Sequence, residues 1–65
     1  MNENERAAFI MSQVACAQIE AEGMRAENQQ RVTLGQSMAF VQEDFVKLIT
    51  EYRIGYNDVL GYLNE

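Results

Sequence analysis

Between residues 7 and 26 apolar side chains recur at two sets of helical spacings, and the two sets fall on opposite sides of one helix. Written in heptads, Ala7, Val14, Ala21 and Asn28 share one core position, and Ile10, Ala17, Met24 and Arg31 share the other. Phe9, Ser12, Cys16, Ile19, Gly23 and Ala26 form a second stripe nearly opposite. No breaker interrupts the pattern before Leu34, after which Gly35 offers a left-handed stop. A first helix is therefore expected over 4–34, capped by Asn4 or Asn2, with Glu3 and Glu5 favourably placed against the helix dipole. Gly23 weakens it by about 1 kcal/mol relative to alanine. It marks either a close approach of another helix or a slight kink.

Downstream, GQSMAFV over 35–41 reads as a connection whose Met38, Phe40 and Val41 fold back onto the core. Phe45, Val46, Leu48, Ile49 and Tyr52 then follow the spacing of one buried face, which predicts a second helix over 42–53. Ile54 and Gly55 break it. Asn57 is the expected N-cap of a third helix over 57–64 that returns Leu60 and Leu63 to the core. With no proline, and with Ala, Gln, Glu, Met and Leu dominant, propensity favours helix nearly everywhere. The expected fold is all-α, one small domain over 1–65: a long N-terminal helix, then two shorter helices in a helix-turn-helix-like arrangement.

A helix of this length spans roughly 45 Å, and the two shorter helices supply enough chain to cover one of its sides, not both. An apolar stripe left in water is the mark of a protein interface. The chain is accordingly expected to form a helical homodimer through the long helix. Its seam would be either Ile10, Val14, Ala17, Ala21 and Met24, or Phe9, Cys16, Ile19 and Gly23. The competing arrangement breaks the helix near Gly23 and folds a compact monomeric bundle.

Size supports self-association. A domain of 65 residues hides only about 60% of its unfolded surface and needs a disulfide, a metal or a partner. One cysteine and no histidine leave the partner. The first residues, MNENER, lack the pattern of a signal peptide, and no apolar run is long enough to span a bilayer, so a cytoplasmic location is expected. Cys16 then reads as a buried small hydrophobe in a reducing compartment.

Ten acidic against five basic residues give a net charge of −5, which repels nucleic acid and membrane surfaces and favours a protein partner. Catalysis near neutral pH asks for a suitable base or an activated nucleophile, and Cys16 has no histidine to activate it. Glu20 with Glu27, and Glu43 with Asp44, read as solvated carboxylates rather than metal ligands. No catalytic residue, cofactor or metal is expected, and the chain is not expected to be an enzyme.

The segment LITEYRIGYNDVLGYL, residues 48–63, resembles the helix-turn-helix family in its apolar spacing and in the turn over 53–55. It departs from the family at Arg53, where glycine is usual, and at Tyr56, Asn57, Asp58 and Gly61, where base-reading and phosphate-gripping side chains would stand. Tyr52, Tyr56 and Tyr62 cluster there beside Arg53, Asn57 and Asp58, and tyrosine and arginine are the residue types enriched at interface hot spots. Those six are the candidate partner-binding residues, with Tyr52 the one assigned mainly to core packing. In size, acidity and helical character the chain is similar to the small bacteriophage proteins that disable host factors, among them inhibitors of quorum-sensing regulators, pilus motors and CRISPR complexes. That resemblance implies a stoichiometric inhibitor of a host protein, acting in the host cytoplasm. The alternatives are a small transcription regulator and an acidic DNA mimic.

Overall fold

The computed structural model describes residues 1–64. Its described residues are 77% helical, with no strands. Helix α1 spans Glu3–Thr33, α2 spans Gln42–Glu51 and α3 spans Tyr56–Leu63. The last two make one bent arm of 22 residues that runs back along α1. Both pack on α1 rather than on each other.

Each end of α1 is fixed by chemistry written in the sequence. Asn2 is the N-cap: its side chain accepts from the Glu5 N–H at 2.8 Å, and the Glu5 carboxylate accepts from the Asn2 N–H at 3.3 Å. At the other end Gly35 takes φ 74°. The Gln36 N–H then reaches the Arg31 carbonyl at 2.7 Å and the Gly35 N–H the Val32 carbonyl at 3.0 Å, the paired closure of a Schellman motif. Between these ends the helix is unbroken, which excludes a break at Gly23. Beyond the neighbouring backbone of α1 itself, nothing lies within 4 Å of where a Gly23 Cβ would stand, so this glycine serves no close approach inside the subunit.

The same Schellman closure ends α2, with arginine at its left-handed position. Arg53 has φ 54°, the Arg53 N–H donates to the Thr50 carbonyl at 3.2 Å, and the Ile54 N–H to the Ile49 carbonyl at 3.0 Å. The stop thus lies at Arg53, ahead of the expected Ile54 and Gly55. A side chain in that conformation costs about 1–2 kcal/mol, partly offset by glycine's greater freedom in the unfolded chain. Arg53→Gly is therefore expected to stabilise the protein by about 0.5–1 kcal/mol, read as a raised thermal midpoint at fixed protein concentration. The N-cap of α3 is Gly55, and Asn57, the expected cap, lies inside the helix.

Packing is thin. Among the described residues only Ala17, Met24 and Leu48 are buried apolar side chains, and Ile10, Val14 and Ala21 are half-buried beside them. The first heptad stripe of α1 therefore faces the subunit's own α2 and α3. Several expected core positions are outside. Met38, Val41, Val46, Ile49, Leu60 and Leu63 are exposed, while Phe40, Phe45, Tyr52, Val59 and Tyr62 are half-buried. The reason is geometric: the apolar arc of the bent arm is wider than the strip that one neighbouring helix can cover. Cys16, expected inside, is exposed on the uncovered side of α1.

Candidate functional site

Two amide side chains on the inner face of α1 set the position of α2. Asn28 donates from Nδ2 to the Phe40 carbonyl at 2.8 Å and accepts from the Phe40 N–H at Oδ1 at 2.9 Å. Gln13, four turns earlier on α1, donates from Nε2 to the carbonyl of Tyr52, the C-cap of α2, at 3.2 Å. Asn28 thus holds the chain entering α2, and Gln13 satisfies one of the carbonyls orphaned at its exit. The Asp44 carboxylate accepts from the Val41 N–H at 2.8 Å and closes the start of the helix.

These fastenings give the hairpin two unlike sides. On one, Arg25 and Asn28 of α1 and Met38, Phe40, Val41, Phe45 and Val46 border an open, mainly apolar groove of about 750 Å³. On the other, the seam between α1 and α2 is lined by Glu20, Glu27, Arg31, Asp44, Lys47 and Glu51. Arg31, at a heptad core position, pairs with Glu27 at 2.8 Å. That ion pair is well exposed and contributes little to stability. The Tyr52 phenol is pushed above its ordinary range, first by its partial burial against α1 and then by a hydrogen bond to, and the charge of, Glu20.

The six residues expected to bind a partner do not form one patch. Tyr52 turns toward α1 and Glu20. The Tyr62 ring stands edge-on to Phe9 at a centroid separation of 5.2 Å, so it is engaged within the subunit. Asp58 is half-buried; Arg53 and Asn57 are exposed; Tyr56 is the most exposed of the three tyrosines, at 79%. Of the two candidate seams, the stripe through Ile10, Val14, Ala17, Ala21 and Met24 is covered by α2 and α3, whereas Cys16, Ile19 and Gly23 stand open and Phe9 packs on Tyr62.

The groove is the feature that the heptad pattern of α1 does not reveal, because it is built by the connection and by the outer half of the α2 apolar arc. Asn28 stands out in the sequence as an amide at a heptad core position, and it holds the connection. Among the described residues no group of three His, Cys, Asp or Glu side chains is arranged to hold a metal ion, and no helix is long and apolar enough to cross a membrane. No protein-family model, curated protein or solved structure matches the chain.

Proposed function

We propose that this chain is a small non-enzymatic protein-binding module, of the kind phages use to inactivate a host transcription regulator or assembly ATPase by occluding a surface. One observation carries the reading. Among the described residues most of the large apolar side chains lie outside the subunit core, and Met38, Val41 and Val46 among them, with half-buried Phe40 and Phe45, border one open groove. An exposed apolar surface rimmed by polar residues is the usual mark of protein recognition. The net charge of −5 supports a protein partner over nucleic acid or an anionic membrane.

The helix-turn-helix alternative has one observation in its favour: Arg53 adopts the left-handed conformation that the family's turn requires. Against it, α2 and α3 pack on α1 rather than on each other. The exposed start of α3 presents Tyr56 and Asn57 with no basic side chain after Arg53. The acidic-mimic alternative draws on Glu20, Glu22 and Glu27, but Arg31 lies beside Glu20 and Glu27, and Lys47 beside Glu20.

Capture from a bacterial lysate on the immobilised protein, titrated to saturation, tests the proposal, with a gel shift on duplex DNA at low salt as its second arm. The expected result is a stoichiometric protein complex and no shift. DNA binding without a saturable protein partner would overturn it, since electrostatic association is strongest at low salt.

A further inference from the structure

We infer that the groove-bearing side of the hairpin is a self-association face, and that two copies stack through it into a four-helix bundle. This concerns the same apolar surface on which the protein-binding reading rests, and names a second copy of the chain as its occupant.

The first argument is the shape of the molecule. The hairpin measures 50 × 17 × 10 Å, a single layer of helices. Its radius of gyration is 15.2 Å, against about 11 Å for a compact domain of this length. Stable domains close a core between two layers, and this subunit supplies one. A second copy supplies the other.

The second argument is area. The accessible surface is 5070 Å², whereas a compact monomer of 7.4 kDa exposes about 4,200 Å². The surplus, about 870 Å², matches the roughly 800 Å² that each partner buries in a standard stable interface.

The third argument is which side carries that surplus. At 100° per residue, the edge of α1 that borders the groove at Arg25 continues through exposed Met11, Gln18 and Val32. On the bent arm, Phe45 and Val46 border the groove, and Ile49 lies on the same arc of α2. In α3, Tyr62 turns to Phe9 at the opposite edge, which places Tyr56, Leu60 and Leu63 on the groove side. Arg25 is the one charge lining the groove itself, and Glu43 and Lys47, of opposite sign, line the adjoining hollow that shares Val41, Gln42 and Val46 with it, whereas the other side carries charges from both helices. An isologous contact needs such a face, broad, apolar and nearly free of like charges. The Cys16, Ile19 and Gly23 stripe is narrower and has one large side chain, Ile19, so it stays outside the bundle.

Light scattering over a dilution series on the wild type, V46E/I49E and I19E tests this. The expected result is twice 7.4 kDa for the wild type and I19E. In V46E/I49E, the glutamates brought into the apolar contact by both copies weaken dimerisation roughly 100-fold or more. Circular dichroism reports whether that variant stays helical. If it unfolds instead, isotope-filtered NOEs in a mixed-label wild-type sample decide: intermolecular contacts at the Met38, Val46, Ile49 and Leu60 methyls support the face, and contacts at Ile19 overturn it. A wild type that remains monomeric at every concentration, or a dimer lost in I19E and kept in V46E/I49E, also overturns it. A persistent monomer leaves the protein-binding reading standing, with the groove then free for a different protein.

Discussion

Replacing Leu48 by alanine is expected to remove a large part of the protein's folding stability. Leu48 is the one buried side chain of α2, and with Ala17 and Met24 it makes up the whole buried apolar core among the described residues. A buried Leu→Ala change costs about 2–5 kcal/mol, from lost transfer energy and the cavity left behind. A domain of this size has a total stability of roughly 3–10 kcal/mol, so the loss is comparable with what there is to lose. Leu48→Met keeps the volume and should cost less than about 1.5 kcal/mol. Urea titration followed by circular dichroism measures both. Protein concentration must be held constant, because association adds its own mass-action term. Near-equal midpoints for Leu48→Ala and the wild type would mean that α2 contributes nothing to the core.

The second large effect is expected at Asn28. Its amide makes a donor and an acceptor bond to the Phe40 backbone, at 2.8 and 2.9 Å, in a part-buried setting. Asn28→Ala removes both and leaves the Phe40 N–H and carbonyl without protein partners, at a cost of about 2–3 kcal/mol. Asn28→Asp separates the two bonds. It retains the acceptor for the Phe40 N–H, but a carboxylate then faces the Phe40 carbonyl and raises the introduced group's pKa in the folded state. Its stability contribution is fully present below the unfolded carboxyl value of about 3.9 and is lost as pH rises through the folded value. The penalty relative to wild type should therefore be small at acid pH and grow toward neutrality. A penalty that is independent of pH would show that the amide donor is not what holds the connection.

These two residues show how unevenly the sequence displays its own fold. The heptad spacing of Ala17 and Met24 marks one of the two apolar stripes of α1 without reference to any neighbour, because 3.6-residue periodicity is a property of one helix. The Asn2 and Glu5 capping pair and Gly35 are equally local signals, and the ends of α1 lie within a residue of where they place them. Leu48 stands in a five-residue apolar stripe, and nothing local to α2 says that it alone is buried. That depends on how much of the arc α1 can cover. Asn28 reads as a polar interruption of a seam until Phe40, twelve residues later, is brought against it.

The interaction surface divides in the same way. Tyr52, Tyr56 and Tyr62 are close in sequence, but the Arg53 turn and the packing of α3 on α1 send them in different directions: Tyr52 to Glu20, Tyr62 to Phe9, Tyr56 into solvent. The groove draws on Arg25 and Asn28 of α1, the connection and α2, segments that only the hairpin turn brings together.

The sequence by itself determined that the chain is helical, where α1 begins and ends, and that it carries more apolar surface than one small subunit can bury. Those are matters of propensity, capping and composition, and each is fixed within a few residues of chain. Tertiary structure decided which stripe of α1 faces inward, which part of the α2 arc stays outside, and that exposed Met38, Val41 and Val46 come together along a groove on one side of a single-layer hairpin. Burial is a relation between elements, set by their separation and by the side on which they meet.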